Sequence, residues 1–303
     1  MIVSRFAPAP TGLLHIGHVV NAIYVWGLAR AADGVVLLRI EDHDRQRSRP
    51  EFERAILDDL EWLGFEADAP PVRQSDRVAI YAGALDRLRT AGLVYACECS
   101  RRDVERTAGG LGSDPASGQA ALEAELRYPG TCASKHLRER HRLGTRIRLA
   151  RSVETFEDVR HGRREQCAAD QCGDLLARDR EGNWTYQFAV TVDDHEQGVT
   201  LVIRGDDLLA STGRQIQLAR LIGRETPPLF LHHALIMKTP AQKLSKADGD
   251  TSVRDLRASG HTPGQVIARA ARLAGLCSAE EIAAGQAASL VGPRYEAALR
   301  RRR

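Results

Sequence analysis

Apolar side chains recur at Val19, Ala22, Ile23, Trp26 and Ala29, a helical spacing that predicts a helix from His15 to Ala32. Before it, Ile2-Val3-Ser4-Arg5-Phe6 reads as a short strand and the Pro/Gly stretch Ala7 to Leu14 as a turn. After it, Gly34 breaks the pattern. Val35-Val36-Leu37-Leu38-Arg39-Ile40 is then almost continuously apolar, as in a parallel strand buried on both faces. Strand, helix and strand within about 40 residues make a βαβ unit, the start of a doubly wound parallel sheet.

Glu51 to Leu63 and Arg77 to Ala91 have the pattern of amphipathic helices. Residues 95–145 differ from their surroundings: they hold a Cys-x-Cys, the pair Gly109-Gly110, and the run Tyr128 to Cys132. They read as an insert. Thr145 to Leu149 and Val153 to Val159 read as short strands. Trp184 to Asp194 and Val199 to Ile203 return to the core, with Asp193 and Asp194 taken as carboxylates at a strand end. A helix follows near Thr212 to Leu221, and the part after Lys246 is mostly helical in pattern. The expected class is α/β: a Rossmann-type doubly wound parallel sheet with a zinc-bearing insert and a short helical C-terminal part. The expected division is 1–94 and 146–250 for the halves of the catalytic domain, 95–145 for the insert, and 251–303 for the helical end.

Composition adds one informative feature. The 303 residues carry a formal net charge of +3, which favours no class of partner. The basic residues, however, are 39 Arg and only four Lys: Lys135, Lys238, Lys243 and Lys246. No membrane span or signal peptide is expected, so the expected location is cytoplasmic and the expected state a monomer. There the six cysteines read as thiols or metal ligands rather than disulfides.

Two short motifs suit phosphate chemistry. His15-Ile16-Gly17-His18 opens the first helix, where free N–H groups and the dipole favour anions. The histidines, three apart, share a helix face, and Gly17 leaves room for a flat base. The alternative is a surface pair near a turn. Lys243-Leu244-Ser245-Lys246 uses Lys twice in a chain that otherwise prefers Arg. An ammonium is a compact, mobile charge that follows phosphate charge as it develops. The alternative is a solvated basic loop.

Together these resemble the two signature motifs of class I aminoacyl-tRNA synthetases, with Leu244 and Ala247 where a Met and a final Ser are usual. The resemblance narrows to the glutamyl type through Arg5-Phe6-Ala7-Pro8-Ala9-Pro10-Thr11-Gly12, Arg39-Ile40-Glu41-Asp42, Tyr186 to Asp194, and Ile203 to Leu209, covering roughly residues 1–250. It implies that His15, His18, Lys243 and Lys246 are catalytic, with His15, Gly17, His18 and Lys246 on ATP and its Mg²⁺. It also implies that Arg5, Phe6, Ala7, Pro8, Ala9, Glu41, Tyr186 and Arg204 line a glutamate pocket, Ala9 replacing the usual Ser. The chemistry agrees: a dicarboxylate needs a guanidinium fork, and its ammonium an acid. A surface arginine at Arg5 and a solvated carboxylate at Glu41 are the alternatives. Asp193 and Asp194 read as solvated or structural rather than as a magnesium pair.

Cys97-x-Cys99 followed by Tyr128-x-x-x-Cys132 resembles the glutamyl-Q tRNA(Asp) synthetase family, which implies one structural Zn²⁺ on Cys97, Cys99, Tyr128 and Cys132. Free thiols in a loop are the alternative. Cys167 and Cys172 match no motif, and Cys277 has no assigned role. That family activates glutamate without tRNA and attaches it to queuosine at the wobble position of tRNA(Asp). The 57 residues after Lys246 are too few for the anticodon-reading domain of full glutamyl-tRNA synthetases. A truncated glutamyl-tRNA synthetase charging a tRNA end, and a non-catalytic binding module, are the competing expectations. Arg101-Arg102 and Arg160 to Arg164 are candidate RNA contacts, with ordinary exposed arginines as the alternative.

Overall fold

The computed structural model describes residues 1–108, 126–239, 242–243 and 251–300. Gly109-Gly110, Leu244-Ser245-Lys246, Ala247 and Arg301–Arg303 lie outside the described residues, as do the side chains at 237–239, 242, 243 and 300.

The chain opens with β1 (Val3–Phe6), α1 (Ile16–Ala31), β2 (Val35–Ile40), α2 (Pro50–Leu63) and β3 (Val72–Arg73). β1, β2 and β3 pair in parallel, Val3 opposite Val35 and Arg39 opposite Val72. The predicted apolar stripe of α1 is widened by Val20, Tyr24, Val25 and Leu28, all buried. A helix buried on most sides lies between two layers. α2 begins at Pro50 with Glu51 and Glu53 in its first turn, and ends at Gly64 with a left-handed φ of 81°. Pro at the start, acids on the positive dipole end and glycine at the close each fix the helix bounds.

Next come α3 (Val78–Thr90), β4 (Val94–Cys97), α4 (Arg101–Ala108), β5 (Gly144–Ile147), β6 (Val153–Asp158), β7 (Gly162–Cys167), α5 (Ala168–Gln171) and β8 (Leu175–Arg178). β4, β5 and β8 form a small antiparallel sheet. β6 inverts the usual alternation: Glu154, Phe156 and Asp158 are buried and Val153 is 62% exposed. Buried acids need partners. Glu154 has Arg220 at 2.8 Å, and Asp158 has His232.

The last elements are α6 (Tyr186–Glu196), β9 (Leu201–Gly205), α7 (Thr212–Leu221), β10 (Leu229–His233), β11 (Met237–Thr239), β12 (Gln242–Lys243), α8 (Val253–Ala258), α9 (Pro263–Leu273) and α10 (Ala287–Arg300). Asp193 and Asp194 are therefore on a helix, not at a strand end, and they are buried rather than solvated. Apolar residues at 186, 188, 190 and 192 alternate like a strand. The helix buries every residue from Phe188 to Asp194, and hydropathy hides that surface because it includes the two aspartates.

β10 runs parallel to both β9 and β6. Thr200 N–H donates to Val3 O at 2.8 Å, which sets β9 beside β1. Across the molecule the parallel strands follow the order β3-β2-β1-β9-β10-β6, so the winding reverses between β1 and β9. Ligands of such sheets bind outside the carboxyl ends of the strands at that reversal. The C-terminal helices cover the outer side of α1. α10 crosses it so closely at Gly27 that a Cβ there would stand 2.4 Å from Val291 Cγ2. Among the described residues no helix is long and apolar enough to cross a membrane.

Candidate active site

A cavity of about 710 Å³ opens at the carboxyl ends of β1 and β9. Arg5, Phe6, Ala7, Pro8, Ala9, His15, Gly17, His18, Glu41, Tyr186 and Arg204 all line it. The end of β1, the start of α1, the end of β2, the start of α6 and the end of β9 thus meet in one space.

The two histidines cap α1, and backbone N–H groups fix the tautomer of each ring. His15 Nδ1 accepts from Gly17 N–H at 3.0 Å, and His18 Nδ1 accepts from His15 N–H at 3.1 Å. With both Nδ1 atoms acting as acceptors, each neutral ring carries its proton on Nε2. Two Nε2–H donors beside a helix N-terminus suit a polyphosphate. The rings lie 4.0 Å apart between centroids. A Cβ on Gly17 would come 2.8 Å from His15 Cε1, so this glycine makes room for the imidazole that folds back over it.

The second motif begins on β12, whose Lys243 pairs with Met237 in a β11–β12 hairpin. Ile236, just before the hairpin, lines the cavity. Beyond the loop, Ser252 bridges to His15, and Val253 N–H donates to Leu14 O at 2.8 Å. The chain therefore leaves for and returns from the lysine segment beside the histidine motif.

Among the amino-acid candidates, Arg5 is held by Asp194 at 2.9 Å and by Ile203 O at 3.2 Å. Neither Arg5 nor Glu41 is a surface group; they are 4% and 6% exposed. Glu41 is seated by its own N–H, which donates to Pro8 O at 3.0 Å. Burial pushes the Glu41 carboxyl above its usual range, against the pull of Arg39. An arriving ammonium would hold it ionised. Arg204 and Tyr186 are adjacent, and burial raises the Tyr186 phenol, keeping it a hydrogen donor at neutral pH.

Beneath the cavity lies an arginine–carboxylate lattice. Arg39, fully buried, donates from Nη1 to Asp194 Oδ1 and Gln197 Oε1, both at 2.8 Å, and from Nη2 to Glu41 Oε1 at 3.2 Å. Its Nε stands 3.7 Å from Asp193 Oδ2, a Coulombic contact too long for a hydrogen bond. Asp193 also accepts from Gln74, Arg77 and Tyr81, at 2.7, 2.6 and 2.8 Å. With lone pairs so committed, the two aspartates act as structural ligands of arginine, the reading preferred over a magnesium pair.

The cysteine cluster lies away from this cavity, on and around β4. Sγ atoms of Cys97, Cys99 and Cys132 lie within 4.8 Å of one another, with Cys99 and Cys132 at 3.5 Å. Tyr128 Oη stands 3.4 Å from Cys97 Sγ and accepts from Cys132 N–H at 2.9 Å. Zinc–sulfur bonds of about 2.3 Å place tetrahedral sulfurs about 3.8 Å apart, so the donor set fits a metal. Burial pushes the Cys99 thiol up to about 12, and a divalent cation supplies the charge that adjacent thiolates require. Arg146 completes the surroundings: its guanidinium lies 3.5 Å from the centre of the Tyr128 ring, and its Nε donates to Cys97 Sγ at 3.3 Å. Cys167, Cys172 and Cys277 lie outside the cluster, and the Cys172 thiol donates to Ala168 O at 3.3 Å.

Sequence reasoning missed Asn21, Arg47 and His233, which also line the cavity. Asn21 lies one helical step past His18 and was findable from that spacing. His233 was not, because β10 was not read as a strand. Arg101 and Arg163 are exposed, and each pairs with a nearby glutamate, Glu105 and Glu165.

Residues 1–288 match the family of class I tRNA synthetase catalytic domains for E and Q. The chain is 40% identical over 277 residues to the glutamyl-Q tRNA(Asp) synthetase of Rhodobacter capsulatus, covering 88% of this chain and 98% of that one. It is 40% identical over 283 residues to the Leptothrix cholodnii protein of the same name, covering 91% and 90%. Among solved structures, a glutamate tRNA ligase from Elizabethkingia meningosepticum in complex with its amino acid superposes with a TM-score of 0.74 at 25% identity. That match covers 95% of this chain but 64% of the other.

Proposed function

The chain belongs to the class I tRNA synthetase catalytic-domain family for E and Q, among the glutamyl-Q tRNA(Asp) synthetases, and on that premise we propose that this ligase makes glutamyl-adenylate and transfers the glutamyl group to queuosine in tRNA(Asp). One observation carries the reading. A single cavity at the sheet reversal joins an imidazole pair suited to phosphates with Arg5, Glu41, Tyr186 and Arg204 suited to a dicarboxylic amino acid.

The α-carboxylate of glutamate attacks the α-phosphorus of ATP, the bond to the bridging oxygen breaks, and pyrophosphate leaves. No general base is required, because the carboxylate is already ionised at neutral pH. Catalysis is positioning and charge stabilisation. His15 and His18 donate from Nε2 to phosphate oxygens, Gly17 leaves the room that the His15 ring occupies beside the nucleotide, and Lys243 and Lys246 take up charge on the departing pyrophosphate. Mg²⁺ arrives with ATP, held mainly by phosphates and water. Arg5 and Arg204 bind carboxylate, Glu41 binds the ammonium, and Phe6, Ala7, Pro8 and Ala9 shape the wall. A queuosine hydroxyl then attacks the acyl carbon and AMP leaves. The RNA meets the arginine-bearing surface around α4 or the β6–β7 turn.

The catalytic domain comprises 1–94 and 146–250, with the insert at 95–145 and the helical end at 251–303. In the insert, Cys97, Cys99, Tyr128 and Cys132 hold a structural zinc that braces β4 against the Tyr128–Cys132 turn. Elemental analysis of purified protein is expected to find about one zinc per chain, and far less after Cys132→Ser. A wild-type protein without zinc would contradict this.

The names of the relatives support queuosine as acceptor, and a charging assay tests it. Labelled glutamate is expected to reach tRNA(Asp) carrying queuosine but neither tRNA(Asp) lacking it nor tRNA(Glu). Charging of tRNA(Glu) instead would favour a tRNA-end synthetase.

A further inference from the structure

Arg204 and Arg5 are held in opposite ways. Arg5 gives its Nε–H to a carboxylate, Asp194. Arg204 gives its Nε–H to a histidine, His232 Nε2, at 2.9 Å. Its other ends donate to Gln215 Oε1 at 2.6 Å and Thr212 Oγ1 at 2.9 Å. All three partners are uncharged oxygen or nitrogen acceptors.

An arginine Nε–H can only donate, so the facing His232 Nε2 must be without a proton. The histidine proton then sits on Nδ1. Asp158 Oδ2 meets it there at 2.6 Å and also accepts the His232 backbone N–H at 3.1 Å. The other oxygen of Asp158 accepts N–H from Arg160 at 3.0 Å and His161 at 2.8 Å. Asp158 and His232 are 1% and 0% exposed, so water offers neither an alternative partner. Neither residue lines the cavity.

We propose that Asp158 and His232 form a positioning relay that locks the imidazole tautomer and so aims Arg204 at a substrate carboxylate without neutralising it. A carboxylate directly on Arg204 would fix it equally well, but would cancel much of the charge a ligand carboxylate needs. A neutral imidazole supplies direction and leaves the charge. The buried acid sits one ring further away, where it sets the tautomer. The pair thereby makes Arg204 the more electropositive of the two pocket arginines and a determinant of acidic-substrate selection. This deepens the proposed function and rests on Arg204 binding glutamate.

The test is steady-state ATP–pyrophosphate exchange, with KM measured separately for glutamate and ATP. Asp158→Asn is nearly isosteric, but its NH₂ facing Nδ1 forces the proton to Nε2, where it opposes the Arg204 donor. His232→Leu removes the acceptor, and His232→Gln restores one at nearly the same place. Asp158→Asn and His232→Leu are expected to raise the glutamate KM roughly tenfold or more, as for loss of a hydrogen bond to a charged group. The ATP KM should stay within about twofold, and His232→Gln within about threefold for glutamate. The two damaging changes should add nothing in an Arg204→Ala background, because they act only through that residue.

If Arg204→Ala raises the glutamate KM while Asp158→Asn and His232→Leu do not, the relay is wrong and the pocket assignment stands. If Arg204→Ala itself has no effect, the pocket assignment fails too. A relay effect that persists without Arg204, or that shifts both KM values alike, marks a structural role and overturns the proposal. Should Asp158→Asn not fold, the contrast between His232→Leu and His232→Gln decides alone.

Discussion

Arg39→Met is expected to remove about 3–5 kcal/mol of folding stability, the usual cost of leaving buried charge without its partner. Methionine fills much of the space but supplies no donor. Asp194 would lose one of its two guanidinium partners, Glu41 its ion pair, and Gln197 the bond that ties the end of α6 to β2. Three carboxylates would then share a dry site with less positive charge. Against a total of about 5–15 kcal/mol for a domain, this is a large fraction. Urea titration followed by circular dichroism measures it. Arg101→Ala is the control, since Arg101 pairs with Glu105 at the surface and should shift stability by less than about 1 kcal/mol. A loss at Arg39 no larger than that at Arg101 would show that the lattice is not what holds the helix to the sheet.

The same lattice fixes an acid limit. Burial alone would raise the Asp194 carboxyl, but Arg5 and Arg39 outweigh it and hold it down at about 2. A carboxyl lowered in the folded state stabilises fully above its unfolded value of about 3.9 and loses that contribution as pH falls toward the folded value. Stability in wild type should therefore decline below pH ~4, and Arg39→Met should flatten that dependence.

Lys246→Ala is expected to slow glutamyl-adenylate formation by about 10²–10³-fold, as when one preorganised charge is removed from a developing anion. The glutamate KM should change by less than about twofold, because the lysine serves the leaving pyrophosphate rather than the amino acid. The chain on both sides of this residue is anchored at the site: Ile236 lines the cavity, and Ser252 bridges to His15. Rapid-quench measurement of enzyme-bound adenylate separates the two quantities. An unchanged rate would remove Lys246 from the mechanism.

The opening βαβ unit was legible because its core is made of apolar residues at regular spacing. The cavity wall was legible because its residues cluster in short motifs at element ends, from Arg5 to Ala9 and from His15 to His18. The supporting layer was not. Arg5 and Asp194 are 189 positions apart, and Arg39 meets Asp194 across 155. Hydropathy scores such residues as surface, whereas mutual pairing lets them be buried. The same blindness made α6 resemble a strand and concealed Glu154 and Asp158 inside β6. The Asp158–His232 pair carries no local signature, since each member has meaning only beside the other and Arg204.

Glutamate-dependent ATP–pyrophosphate exchange in the absence of RNA tests the account most directly. Folded, purified protein with Mg²⁺-ATP is expected to move label from pyrophosphate into ATP with glutamate, and far less with glutamine or aspartate. No exchange with glutamate, or equal exchange with all three, would contradict a cavity built to activate this dicarboxylic amino acid.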